Sequence, residues 1–172
     1  VVTISPGINR EVNGLFDHVR DAGTTLTQTS ARLQYPFTSW MQLSVEMPVT
    51  FLDPESGSGR TNAGDLIVGG QVNLWTARVW PAQVDAGIEV TLPTGSPEVL
   101  AGSTAVRSFV AAGTKLGPVD LIGNISYFWG IDGRVADTQL FQPSVAAAYP
   151  LRWIAPFAEL VVLKPVRGDG DG

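Results

Sequence analysis

Cysteine is absent and histidine occurs once, at His18. Without thiols there is no disulfide framework and no thiolate chemistry. Without a His/Cys cluster there is no zinc site of the usual spacing. Charge is sparse as well. Asp, Glu, Lys and Arg make up 16% of the 172 residues, against about a quarter in an ordinary soluble domain. The formal charge sums to −5, so the basic footprint of a nucleic-acid binder is missing. No apolar run approaches the ~18 residues of a transmembrane helix. The opening residues Val1 to Pro6 carry neither the basic start nor the apolar core of a signal peptide. The chain is therefore expected to begin at a mature or cut terminus, and localisation has to be read from its elements.

What is present is a period of two. Met41, Leu43, Val45, Met47, Val49 and Phe51 alternate with Gln42, Ser44, Glu46, Pro48 and Thr50. The pattern returns as Ala82, Val84, Ala86, Ile88, Val90 and Leu92 against Gln83, Asp85, Gly87, Glu89 and Thr91. Successive side chains of a strand point to opposite faces, so each run has one apolar and one polar side. The runs are as long as the ~9–11 residues a tilted strand needs to cross a bilayer. The apolar side faces either a protein core or lipid.

Alternation and β-propensity place strands at about 26–35, 40–51, 65–75, 80–92, 104–116, 119–129, 139–149 and 153–163, with a weaker ninth at 11–16. Connections at 36–39, 76–79, 117–118 and 150–152 are short, and those at 52–64, 93–103 and 130–138 are long. Such sidedness is the plan of an outer-membrane barrel. Trp40, Trp75, Trp80 and Trp153, with Tyr35, Phe37 and Tyr149, lie beside the short turns, while Phe51 and Trp129 lie at the long-loop ends. Interfacial girdles put aromatic residues there, although aromatics also favour strand ends generally. Parity sets Trp80 and Trp129 on the apolar face and Trp40 and Trp153 on the polar one. Pro48, Pro143 and Pro156 resist, because a strand proline removes a ladder donor. Residues 104–116 alternate poorly, and 145–148 are almost continuously apolar.

Groups that could converge for catalysis are few. His18 sits in a polar stretch with no G-x-S-x-G elbow to serve. Gly57-Ser58-Gly59 has the look of a loop tip, since no Lys-Ser/Thr and no helix follow it. Asp169-Gly170-Asp171-Gly172 starts like a calcium loop, but the ligand series stops. The chain is expected to be no enzyme and to hold no metal or cofactor. The informative polar residues are those interleaved with the apolar face: Arg32, Glu46, Asp85, Glu89, Arg107, Lys115, Asn124 and Glu159. In a barrel they would line the lumen, as a watery path or as a rigid network. In a soluble sandwich the same residues would be the solvent face.

An ordered series of short motifs adds a resemblance. Tyr35-Pro36-Phe37-Thr38 and Leu43-Ser44-Val45-Glu46-Met47-Pro48 come first. Ala63-Gly64-Asp65-Leu66-Ile67-Val68-Gly69 opens a strand, and Gly87-Ile88-Glu89-Val90-Thr91-Leu92-Pro93-Thr94-Gly95 closes the next. Gly102-Ser103-Thr104, the stretch from Gly117 to Tyr127 and Ile154-Ala155-Pro156-Phe157-Ala158-Glu159-Leu160 follow. The series, over most of the chain, resembles the outer-membrane transporters linked to the meta-pathway of phenol degradation. The resemblance implies a β-barrel passing small compounds, aromatic or hydrophobic ones among them. It supplies no binding residues. The chain ends in Gly-Asp-Gly-Asp-Gly, where such barrels commonly end on a terminal aromatic.

These readings converge on an all-β, antiparallel up-and-down transmembrane β-barrel, in one domain over 1–172. About eight or nine strands are expected, as an incomplete larger barrel cut at one or both ends. The expected location is the outer membrane of a Gram-negative bacterium, with membrane lipid and a small-molecule permeant as partners and no nucleic acid. Passive passage is the first functional expectation. A non-conducting structural or surface-interaction barrel is the second, since about eight strands leave an interior filled by side chains. The third is a soluble β-sandwich or lipocalin-like carrier, with its apolar residues inside.

Overall fold

The computed structural model describes residues 11–21, 24–54, 59–77, 79–96, 102–132, 136–151 and 156–167. Among the described residues there are eleven strands: β1 (Glu11–Asp21), β2 (Thr24–Pro36), β3 (Met41–Pro54), β4 (Arg60–Ala63), β5 (Leu66–Thr76), β6 (Ala82–Leu92), β7 (Ala105–Leu116), β8 (Val119–Gly130), β9 (Gln139–Ala148), β10 (Phe157–Val161) and β11 (Lys164–Arg167). No helix occurs among the described residues.

All strands join one antiparallel sheet in sequence order, β1-β2-β3-β5-β6-β7-β8-β9-β10. β4 extends the β5 position along β3, and β11 extends the β10 position along β9. The eleven strands therefore occupy nine positions in a simple meander. The expected weak ninth strand is a full-length β1. Trp153 and residues 169–172 lie outside the described residues.

The sheet curls into an open half-barrel. Arg32 on β2 bonds Glu89 on β6, with β3 and β5 between them. In a flat sheet three strand spacings of ~4.8 Å would separate those backbones by about 14 Å. Contact follows when the sheet bends towards the face that carries both residues. No ladder joins β1 to β10 or β11 among the described residues, so the sheet remains open there.

The two faces are inverted relative to a water-soluble fold. Arg32, Gln42, Glu46, Thr50, Gln71, Asp85, Glu89, Asn124 and Ser126 are buried on the concave face. Leu43, Val45, Met47, Val68, Ile88, Val110, Ile125 and Val145 are exposed on the convex face. β3 follows the alternation of its sequence from Met41 to Phe51, and in β6 Asp85 and Glu89 are buried while Ile88 is exposed. β9 alternates too in its apolar stretch: Val145 and Ala147 are exposed, Ala146 is buried and Ala148 half-buried.

Pro48 in β3 and Pro143 in β9 sit where a donor is not needed. A strand residue directs its N–H and C=O to the same side. The carbonyl of Pro48 accepts from Gly64 N at 2.8 Å, so its missing N–H faces the break between β4 and β5. The carbonyl of Pro143 accepts from Val162 N at 3.0 Å, so its missing N–H faces the break between β10 and β11. Pro156 lies outside a strand and accepts from Tyr149 N. Each interruption of a ladder thus lies opposite a proline. A β-bulge between Asn73 and Trp75 shifts the β5 register against β6. It leaves Leu74 and Trp75 both exposed, as bulges re-aim side chains.

The sidedness of the connections is weaker than expected. Residues 93–104 and 131–138 are long, and 117–118 is a two-residue turn. β3 runs on to Pro54 and β4 begins at Arg60, however, so much of the expected long loop at 52–64 is strand. Only two residues separate β1 from β2 on the long side, and eight separate β9 from β10 where a short turn is expected.

Candidate functional site

The ladder registers stack the concave-face residues into rungs. One rung runs Arg32–Glu46–Ile67–Thr91–Ala105 from β2 to β7. The next, away from the long connections, runs Gln34–Ser44–Gly69–Glu89–Arg107 and continues to Phe128 and Leu140. Below it come Gln42, Gln71, Gly87, Phe109, Ser126 and Gln142. Asn73, Asp85, Ala111, Asn124 and Ser144 follow.

Four charges close into a belt across the first two rungs. Glu89 accepts from Arg32 Nη2 on one carboxylate oxygen and from Arg107 Nη2 and Nε on the other, the last at 2.8 Å. Glu46 Oε2 stands 3.1 Å from Arg32 Nε as an ion pair without hydrogen-bond alignment. The side chains of Arg32, Glu46 and Glu89 are 4–6% exposed and that of Arg107 18%. Two cations and two anions leave the belt neutral. Buried charges persist only when paired and hydrogen-bonded, and Glu89 at the centre meets that need for both arginines.

A second polar group surrounds Asp85, which is fully buried. Asn73 Nδ2 donates to its Oδ1 at 2.7 Å, and Gln83 Nε2 to its Oδ2 at 3.0 Å. Gln71 Nε2 reaches the same oxygen at 3.5 Å.

Of the eight residues expected on the inner face, Arg32, Glu46, Glu89 and Arg107 come together in the belt. Asp85 lies two rungs away from Glu89 with its amides, and Asn124 on the rung of Asp85. Asn124 is buried with its Oδ1 unpartnered among the described residues. Glu159, on the β10 position opposite Ala146, is half-buried with Oε1 likewise unpartnered. Lys115 differs. It keeps the inner register of β7 but sits at the strand end beside the 117–118 turn. It is more than half exposed and pairs with Asp120 at 2.6 Å. A strand terminus leaves a long side chain free to reach solvent whatever its register.

A cavity of about 180 Å³ opens beside the belt. Glu46, Glu89 and Arg107 line it together with Ile67, Phe128 and Leu140. It combines charged and apolar walls, a combination suited to a small molecule with an apolar body and a polar group. Phe128 and Leu140 share the inner register with charges, which alternation alone could not assign to a cavity.

The cavity side of the sheet also holds a loop anchor. Asp65, in the break between β4 and β5, accepts from the backbone N–H groups of Gly95 (2.9 Å), Gly102 (2.8 Å) and Ser103 (2.9 Å). Thr94 Oγ1 accepts from Leu66 N at 2.9 Å. The Gly-Asp-Leu and Leu-Pro-Thr-Gly motifs are therefore two halves of one contact that fixes both stems of the connection at 93–104. His18 lies within β1, opposite Thr27. No group of three or more metal-ligating side chains occurs among the described residues.

No protein-family model matches the chain. No curated protein matches it.

Proposed function

We propose that the chain forms the wall of an outer-membrane β-barrel that passes small compounds passively, as the transporters it resembles are expected to do. One observation carries this reading: an ordered sheet with its charges buried on the concave face and its apolar side chains exposed on the convex one. In water such a surface is an aggregation liability. Against hydrocarbon it is the required arrangement, because an Arg or Lys facing lipid costs roughly 2–4 kcal/mol at the midplane. Strands β2, β3 and β5 to β9 are ten to fourteen residues long, enough to span a tilted crossing. Trp40, Trp75, Trp80, Tyr35 and Phe37 are exposed near the short-turn rim, where an interfacial girdle belongs. The expected location is the outer membrane of a Gram-negative bacterium, with lipid on the convex face.

The permeant class follows from the belt and its cavity. The four belt charges cancel, and the apolar walls Ile67, Phe128 and Leu140 favour small neutral molecules with a hydrophobic or aromatic body. Reconstitution into planar bilayers tests the reading. Insertion with discrete conductance steps is expected; a full-length protein that neither inserts nor conducts would refute it. A second reading, a non-conducting barrel whose interior is a rigid plug, is favoured by one observation. The space between Arg32, Gln42, Gln71 and Phe109 leaves no room for a water molecule. Insertion without conductance would select it. A soluble carrier would need the reverse facing of the same dyads.

A further inference from the structure

Among the buried apolar residues of the described sheet, Phe109 alone is large; the others are Ala105, Ala111 and Ala146. Its ladder partner is Gly87, whose partner is Gln71, whose partner is Gln42. A Cβ on Gly87 would overlap Phe109 Cζ. The ring therefore occupies the room left by the glycine and lies across a rung of amides. On one side of this rung are Glu89, Arg107 and the cavity; on the other are Ala111 and Asp85. Beside the ring no water-sized space remains.

The geometry points to Phe109 as the seal of the interior: an apolar ring that separates the cavity at the charge belt from the polar rungs around Asp85. This rests on reading the concave face as a water-filled path. Apolar constrictions in polar pores exclude water, and every neighbour of this ring on its own rung is glycine or polar. Phe109 also covers Gly87 as a cross-strand pair. The test therefore needs a readout that cross-strand packing alone would not move.

The chain lacks cysteine, so one introduced thiol reports on access. Ala111 is fully buried one rung beyond the ring. In full-length Ala111→Cys protein in detergent, a charged methanethiosulfonate reagent should label slowly. Adding Phe109→Ala should speed labelling by about tenfold or more, as expected when a local barrier to opening is removed. Phe109→Leu, which keeps an apolar side chain over Gly87, should fall between the two and decides the matter if Phe109→Ala loses its β-sheet circular dichroism. Equal labelling rates in the parent and in folded Phe109 variants would overturn the proposal. In planar bilayers the conductance step of Phe109→Ala should exceed that of the wild type, and equal steps would again overturn it. Failure of both proteins to insert would count against the membrane reading, with the labelling rates still deciding the seal.

Discussion

Glu89 holds the interior together, and replacing it by glutamine isolates that role with little change in volume. Its carboxylate takes three N–H contacts from two guanidiniums. In Glu89→Gln the belt carries two cations against Glu46 alone, a net charge of +1 in a region where Arg32 and Glu46 are almost fully buried. Breaking a buried ion pair from one side costs about 3–5 kcal/mol. Two features lower that figure here. Arg32 keeps Glu46 at 3.1 Å, and Arg107 is 18% exposed and can turn part of its charge to water. A loss near 3 kcal/mol is therefore expected, at the low end of the range. Lys115→Met provides the control. Its partner Asp120 is about one third exposed and the lysine more than half, so the pair contributes about 0–1 kcal/mol. Urea unfolding in lipid vesicles, followed by the fluorescence of the five tryptophans, gives both values. A Glu89→Gln cost no larger than that of Lys115→Met would refute a central role for Glu89. A cycle with Arg107→Met should return a coupling of about 1–3 kcal/mol.

Gly64→Ala should destabilise by about 1–3 kcal/mol through overpacking, because its Cβ would stand 2.9 Å from Pro48 Cγ. Pro48→Ala should relieve most of that loss in the double variant, and unchanged unfolding midpoints for Gly64→Ala would contradict the packing at the β4/β5 break. Asp65→Ala removes the acceptor of three backbone N–H groups; it should accelerate proteolysis within 93–104 while leaving the sheet signal in circular dichroism intact. Ile88→Lys on the convex face should reduce vesicle insertion by roughly 2–4 kcal/mol, whereas the same change in a water-exposed surface would fall within about 0.5 kcal/mol.

The faces of β3 up to Phe51 and of β6 are legible because the alternation there is unbroken, and the four belt residues stand out as charges on the polar parity. Their assembly was not legible. Arg32 and Glu89 are 57 residues apart, and only the register of β2 through β6 brings them to one carboxylate. The inward position of Phe109 is hidden in the sequence for a related reason. β7 carries small residues on both faces, and the inward aromatic makes sense only once Gly87 is known to be its ladder partner. Pro48 and Pro143 contradicted strand propensity until the interruptions in the neighbouring strands explained where their missing donors point. Asp65 was visible as part of a motif, yet its acceptor role depends on Gly95, Gly102 and Ser103, a full connection away. Lys115 shows the limit of parity: at a strand end the register does not determine where a long side chain goes.

If the sheet is the wall of a membrane barrel, its convex face meets hydrocarbon and its concave face does not. Single spin labels in the cysteine-free chain, placed in turn from position 43 to 49 on β3 of the vesicle-bound protein, test it directly. Collisions with dissolved oxygen should peak at 43, 45, 47 and 49 while a water-soluble nickel complex fails to reach those positions. A nickel complex that relaxes Val45 and Met47 labels as freely as those on an exposed loop would contradict it.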